Sequence, residues 1–354
     1  MNVLHIISSL NIGGAENLVA NLCLESTPFS LYLIANSSGV LQNKVDSSRC
    51  KFFIIEKGKF GLVYMFKLRK YIRKNNIQVI HLHDSLNVIY AFFATRFMRK
   101  KIVFTIHGAG KRKLKYFAMR IADSLILVSK YLKDHINPGM PEKEHVIYNG
   151  IIEEQFQHKI SPLPSVKREI SLLGMVGNFK NEARNQMTIC RALLELQAKE
   201  IQFKFWFIGE KSEIHPEYFD ECYNFCEENG LLDTVSFLGS RNDIPELLNK
   251  LDLFIYSSNQ ETFCLSVVEA MMSGTPVIVN DLPVFQEITD NGNYAQLYKT
   301  KDADDLAEKI EYFIRHPEAR AELGERGRQY ALENFTIEKH IEQLHSIYTE
   351  LLSD

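Results

Sequence analysis

Short, nearly unbroken apolar runs recur along this chain with amphipathic stretches between them, and that alternation restricts the folds open to it. A strand apolar on both faces must be covered on both, so the pattern predicts parallel sheets sandwiched by helices. In the first half the expected strands are 3–7, 31–35, 79–80, 103–106, 125–128 and 146–147, with helices at 15–24 and 62–72. Residues 158–168 hold prolines and serines in an apolar-poor stretch and read as an interdomain linker. Alternation then restarts, with strands at 172–176, 203–208, 235–238, 253–256 and 276–279 and helices at 186–196 and 266–272. The last fifty residues read as charged and helical. The fold class is therefore α/β, with two Rossmann-like doubly wound domains, 1–165 and 166–334, facing across a cleft. The C-terminal helix 335–354 is expected to return to the first domain. A length of 354 residues fits two domains, and ligands of such sheets bind at the carboxyl ends of the strands.

Charge divides along the same line. Residues 1–165 carry 23 Lys and Arg against 11 Asp and Glu, whereas the remainder carries 18 against 33. The basic residues cluster as Lys67, Arg69, Lys70, Arg73 and Lys74, then Arg96, Arg99, Lys100 and Lys101, then Lys111, Arg112, Lys113 and Lys115, interleaved with Phe66, Phe92 and Phe93. Such a face suits an anionic membrane surface or an anionic acceptor; with no reading module beside it, nucleic acid is not expected as a partner. The sequence carries no signal-peptide pattern and no long apolar span, so a cytoplasmic protein is expected, peripheral on the inner face of the cell membrane. The six scattered cysteines, Cys222 and Cys226 included, read as reduced thiols, since no second ligand pair follows them.

The sharpest motif is a pair of acids eight positions apart, Glu261 and Glu269, followed by Ala270-Met271-Met272-Ser273-Gly274-Thr275-Pro276-Val277. Glu269 falls in an otherwise apolar helix, where an acid calls for a partner. Ribose and hexose hydroxyls are such partners, and the helix start between the acids offers N–H groups to phosphate. On these residues the chain resembles the retaining glycosyltransferases of the GT-B fold, group 1 or family 4 type, which build bacterial polysaccharides and lipid-linked glycans. The resemblance implies that Glu261 holds the hydroxyls of the transferred sugar and Glu269 the ribose. It implies that the backbone at Phe263, Cys264 and Leu265 receives donor phosphates and sugar.

Other segments agree. Gly13 and Gly14, after the first strand, would let the backbone approach the donor diphosphate. His107 ends an expected strand and matches the histidine that contacts the transferred sugar in the family. His81 and His83 alternate with Leu82 and so point the same way in extended chain; with Asp84 they are assigned to the acceptor side, and no third metal ligand is seen at useful spacing. Ser129 and Tyr148-Asn149-Gly150 read as architecture. Where the family has arginine and lysine clamping the diphosphate, this chain has Asn178 and Arg184, a clamp thinner by one charge; Lys180 and Lys211 are the candidate substitutes. The backbone at Arg241 or Asn242 is placed near the nucleobase.

The resemblance implies a hexosyltransferase moving a sugar from a nucleoside diphosphate to a glycan or polyprenyl-diphosphate-linked acceptor in surface polysaccharide synthesis. Glu261, His107 and Arg184 would line the reacting centre, with front-face attack and no obligatory metal or other cofactor. A UDP-sugar is the expected donor, a GDP-sugar the second choice. The alternatives are a soluble transferase acting on a small molecule, a nucleotide-sugar epimerase or phosphorylase, and a non-catalytic protein of the same fold that binds nucleotide sugars.

Overall fold

A computed structural model describes residues 1–46, 48, 50–57, 61–110, 113–156, 170–180 and 183–353; the expected linker 158–168 and the basic pair Lys111 and Arg112 lie outside the described residues. The chain forms two compact units, Met1–Ile152 with Phe335–Asp354, and Glu153–Asn334. The division thus falls earlier than the expected 165/166. Its physical reason is the 3-10 turn Glu153–Phe156, whose Phe156 is buried and accepts a hydrogen bond from Arg328 Nη1 at 3.2 Å, inside the second unit.

The first unit runs β1 (Asn2–Ile7), α1 (Gly14–Leu24), β2 (Ser30–Ala35), α2 (Gln42–Asp46), β3 (Lys51–Ile54), α3 (Gly61–Lys74) and β4 (Val79–Leu82). It continues through α4 (Ser85–Thr95), β5 (Lys101–Ile106), α5 (Lys113–Ile121), β6 (Ser124–Leu127), α6 (Lys130–Ile136) and β7 (Glu144–Val146). The strands make one parallel sheet in the order β3-β2-β1-β4-β5-β6-β7. Val3, Leu4, Ile6, Val79, Ile80, Val103, Leu125 and Ile126 are fully buried, as strands covered on both faces must be. β3 is an edge strand with Phe53 and Ile54 exposed, which is why its apolar pattern was not legible. Asp84 caps α4 by accepting from Asn87 N at 2.9 Å, and Ser129 caps α6 by accepting from Leu132 N at 3.0 Å.

The second unit runs β8 (Ser171–Val176), α7 (Gln186–Ala198), β9 (Phe203–Ile208), α8 (Glu217–Glu228), β10 (Val235–Phe237), α9 (Ile244–Leu248) and β11 (Leu253–Tyr256). α10 (Leu265–Met272), β12 (Val277–Asn280), α11 (Pro283–Ile288), β13 (Gln296–Tyr298), α12 (Ala303–Arg315) and α13 (Pro317–Asn334) complete it. Its parallel sheet has the order β10-β9-β8-β11-β12-β13. At its centre a Cβ on Gly209 would lie 2.2 Å from the Gly177 carbonyl oxygen, so only glycine lets the ends of β8 and β9 approach.

α14 (Ile337–Ser353) returns to the first unit. Its Ile337, Ile341, Leu344 and Tyr348 recur at helical spacing and share one core with Val3, Val79, Val103 and Ile126. Removing the Leu344 side chain to Ala there costs about 2–5 kcal/mol. Gly150 admits the helix, since a Cβ on it would stand 2.6 Å from Ile337 Cα.

In both sheets the strand order reverses beside the first strand of the unit, between β1 and β4 and between β8 and β11. Loops leaving such a pair diverge to opposite sides and open a crevice at the carboxyl ends. The sequence-marked residues concentrate at these two places.

Candidate active site

In the second unit the loop after β8 and the loop after β11 are tied together. Arg184 pairs with Ser258 as an isolated antiparallel bridge, Asn259 N donates to the Ala183 carbonyl at 2.7 Å and Asn185 N to the Ser257 carbonyl at 3.2 Å. This lacing brings the Arg184 guanidinium onto Glu261 Oε1 as an ion pair. Tyr256 Oη donates to the same carboxylate oxygen at 2.8 Å, and the Arg184 guanidinium carbon sits 5.5 Å from the Tyr256 ring centre. Burial raises the Tyr256 phenol well above its ordinary range, so it acts as a donor. Next to Arg184 in the chain, Asn185 Nδ2 is buried without a hydrogen-bond partner among the described residues, as suits a polar ligand, while the Ser257 side chain faces the Tyr298 hydroxyl. A cation, a carboxylate and a phenol thus converge at one switch point.

The first unit holds a cluster of imidazoles at its own switch point. His5 of β1 and His81 of β4 are register partners on adjacent strands. The His81 and His83 rings stack 4.7 Å apart, as their alternation requires. His5 Nδ1 lies 3.1 Å from His83 Nε2, and His83 Nδ1 lies 3.0 Å from His107 Nε2. Tyr348 of α14 reaches in, with Oη 2.5 Å from His81 Nδ1 and 3.3 Å from His5 Nε2, while His81 Nε2 is 2.5 Å from Thr105 Oγ1. Burial lowers His5, with His340 nearby, to about 3 and His107 to about 3. It holds His81 and His83 well below the ordinary histidine value, their imidazole neighbours adding to the effect. The cluster is therefore neutral at physiological pH.

Comparisons with known proteins agree with this architecture. Residues 157–330 match the family described as glycosyl transferases group 1, and residues 12–155 match glycosyltransferase family 4. The chain is a group 1 glycosyltransferase. It is 24% identical over 322 residues to the N-acetyl-alpha-D-glucosaminyl L-malate synthase of Bacillus anthracis, covering 86% of this chain and 83% of that one. It is 24% identical over 363 residues to an Escherichia coli UDP-Gal:alpha-D-GlcNAc-diphosphoundecaprenol alpha-1,3-galactosyltransferase, covering 93% and 91%. The crystal structure of Anabaena HepE in complex with UDP and glucose superposes with a TM-score of 0.86 at 20% identity, covering 99% of both chains. The fold is that of the GT-B glycosyltransferases.

The sequence-marked residues of the glycosyltransferase fall as follows. Arg184 and Glu261 meet. Glu269 is partly buried in α10, whose first residue is Leu265. Cys264 precedes it at φ +76°, a left-handed conformation that L side chains resist, and Phe263 is buried. Asn178 Oδ1 accepts from Glu210 N at 2.8 Å, so the residue in the arginine position ties β8 to β9. Lys211 is paired with Asp220 at 2.5 Å, and Lys180 is exposed. Arg241 closes on Asp243 with two bonds of 2.8 and 2.6 Å. Gly13 and Gly14 open α1; a Cβ on Gly13 would meet the Glu16 carboxylate at 2.3 Å.

Asp84 is spent on structure: besides capping α4 it accepts from Ser8 Oγ at 2.8 Å and pairs with Lys57 at 3.6 Å. Contrary to the expectation from spacing, His81 and His83 have a third imidazole alongside: His5 joins them with ligand atoms within 4.8 Å. His5 was invisible as a partner because it lies on another strand, and only the parallel register brings it alongside. Both nitrogens of His5 and of His81 are already hydrogen-bonded, so a cation there would displace bonds that now exist. Tyr348, His5, Thr105 and Tyr256 are the neighbours that sequence reasoning missed. Cys190 and Cys226 lie in sulfur contact at 3.9 Å as buried free thiols.

Proposed function

We propose that this glycosyltransferase moves a hexose-type sugar from a UDP-sugar, with retention of configuration, to a glycan or polyprenyl-diphosphate-linked acceptor in surface polysaccharide synthesis. The observation that carries the reading is the meeting of Arg184, Glu261 and Tyr256 at the carboxyl end of β11. Displacement at an anomeric carbon builds negative charge on the departing diphosphate, and a guanidinium grips phosphate oxygens with two parallel bonds. Without ligand, Arg184 and Glu261 satisfy each other. On donor binding the diphosphate takes the arginine and the sugar hydroxyls take the carboxylate, with Tyr256 still holding Glu261 in place. The α10 start at Cys264 and Leu265 offers N–H groups to phosphate, and Glu269 accepts from the ribose. These groups supply the positive potential the leaving group needs, so turnover is expected without a divalent cation. Attack and departure on one sugar face, with the diphosphate taking the acceptor proton, accounts for retention. HepE bound to UDP and glucose supports uridine, with guanosine second.

The acceptor reading rests on the first unit. Positions 57–83 and 85–122 contain no Asp or Glu. Helices α3 and α4 pack together, as do α4 and α5, and they leave Leu62, Val63, Phe66, Phe93, Leu114 and Phe117 exposed, with Phe97 94% exposed just beyond α4. Apolar side chains among cations fit the headgroup region of an anionic bilayer, which supports peripheral association with the cytoplasmic face of the membrane. No helix of the described residues is long and apolar enough to cross one. The Escherichia coli relative named for a diphosphoundecaprenol acceptor supports this reading, whereas the Bacillus anthracis relative named for L-malate favours the second one, a small-molecule acceptor.

Calorimetry with UDP-, GDP- and ADP-sugars, on the parent and on Arg184→Ala and Glu269→Ala, tests the donor. One nucleotide series should bind and both variants should weaken it by roughly tenfold or more, the value of a charged hydrogen bond of about 1.5–3 kcal/mol. No binding by any series, or variants equal to the parent, defeats the proposal.

A further inference from the structure

The residue that introduces α10 holds a conformation its side chain resists. Cys264 stands at φ +76°, where glycine would sit without strain, and its thiol makes no cap bond to the helix that follows. The thiol meets another group. Cys264 Sγ lies 3.4 Å from Ser266 Oγ, and both are hydrogen-bonding neighbours of the Tyr256 hydroxyl. Tyr256 is buried, and its hydroxyl lies 2.8 Å from Glu261 Oε1, the oxygen that also meets the Arg184 guanidinium. The direction of these bonds is fixed by what each group can give. A carboxylate paired with arginine only accepts, so the single proton of Tyr256 goes to Glu261. The phenol oxygen then has only lone pairs left, and Cys264 and Ser266 can meet it only as donors.

We propose that Cys264 is a positioning residue for the transferred sugar: its thiol donates to the Tyr256 oxygen and, with Ser266, keeps the phenol proton aimed at Glu261. This rests on the reading of Glu261 as the acid that accepts from the sugar hydroxyls. Without ligand, one oxygen of that carboxylate meets both a cation and a phenol. Once the donor diphosphate draws Arg184 away, the aim of the carboxylate depends on the phenol, and the aim of the phenol depends on the donors behind it. Glycine at this position would relax the backbone and remove one of those donors. The strain of a left-handed cysteine is accounted for by the task of its sulfur.

The test uses the full chain in four variants. Cys264→Ala keeps the Cβ and the strain and deletes only the sulfur, Tyr256→Phe deletes only the hydroxyl, a third combines the two, and Cys264→Ser restores a donor. Urea unfolding of the unliganded protein is followed by Trp206 fluorescence, which reports the second unit, where all these residues lie. Where thiol and phenol share a bond, the midpoint shift of the double variant is smaller than the sum of the two single shifts. Additive shifts overturn the proposal. Calorimetry with UDP, UDP-glucose and UDP-galactose then reads the sugar. For the better bound of the two nucleotide sugars, the ratio of its affinity to that of UDP should fall roughly two- to tenfold in Cys264→Ala and about tenfold or more in Tyr256→Phe, the values of a neutral and of a charged hydrogen bond. UDP itself should bind as it does to the parent, and Cys264→Ser should recover most of the ratio. A ratio unchanged in Cys264→Ala overturns the proposal, as does an equal loss for UDP and nucleotide sugar, or Cys264→Ser behaving as Cys264→Ala. Binding of none of the three ligands by the parent is instead the failure of the donor reading. The urea cycle needs no ligand, so additive shifts there mark the failure of this inference alone.

Discussion

Acidification should unfold the first unit before the second. Unfolded histidine titrates near 6.5, whereas His5 is held at about 3 and His340 at about 4 by burial. Because the folded values are depressed, the unfolded chain binds more protons below pH 6.5. Stability is therefore full above that value and is lost as pH falls toward the folded values. Each such group loses about 1.4 kcal/mol per pH unit, so lowering pH from 7.5 to 5 costs about 2 kcal/mol for each and about 4 kcal/mol for the two. His81, His83 and His107 are shifted in the same direction and add to this. A domain has about 5–15 kcal/mol in all, so the loss is a large part of what holds the unit. The described histidines of the second unit, His215 and His316, are exposed. The protein's single tryptophan, Trp206, lies in β9 and reports the second unit alone. Urea unfolding followed by Trp206 fluorescence and by far-ultraviolet circular dichroism at both pH values separates the units. With a slope of about 2 kcal/mol per molar, the dichroism transition of the first unit should move down by roughly 2 M, while the fluorescence transition stays nearly in place. A first-unit midpoint that barely moves, or equal shifts in both probes, refutes the reasoning.

Other outcomes follow from single contacts. Cys264→Gly relieves a left-handed residue at the start of α10 and should raise stability by about 1 kcal/mol, read as a melting shift of about 2–4 °C in the second unit. Gly209→Ala, with no room for a Cβ against Gly177, should lower that unit's stability by about 1–3 kcal/mol or more in urea titration. Glu261→Gln should reduce kcat well over tenfold while UDP affinity changes little, measured by turnover and calorimetry; weakened UDP binding would move Glu261 from the sugar to the nucleotide. Phe66→Ser with Phe97→Ser should abolish flotation with phosphatidylglycerol vesicles, and the parent should leave them at about 0.5 M salt.

The sequence carried most of the sheets because buried parallel strands are apolar on both faces, as at 3–7, 103–106 and 253–256. It did not show β3, an edge strand with Phe53 and Ile54 exposed, or β13, a three-residue strand. The acids Glu261 and Glu269 were legible because a carboxylate near an apolar helix stands out, and Arg184 because its neighbours fix its place along the chain. The joining of Arg184 to Glu261, and of His5 and Tyr348 to His81, was not legible. Those contacts join strands and helices far apart in sequence, His81 and Tyr348 by 267 positions. Asn178 looked like a weakened clamp by position, and only the bond to Glu210 shows what its side chain is used for.

The return of α14 sets an order of assembly. The first unit is written in two pieces around the second, so a ribosome delivers all of Glu153–Asn334 before the segment that completes the first sheet's core. The second unit is contiguous and can close while synthesis continues. The first waits, with Val3, Val79 and Val103 bare on one face, until Ile341, Leu344 and Tyr348 emerge after it. During that interval the first unit is the more exposed to chaperones and proteases. A nascent chain stalled before α14 would hold a finished second unit and a first that still lacks its keystone.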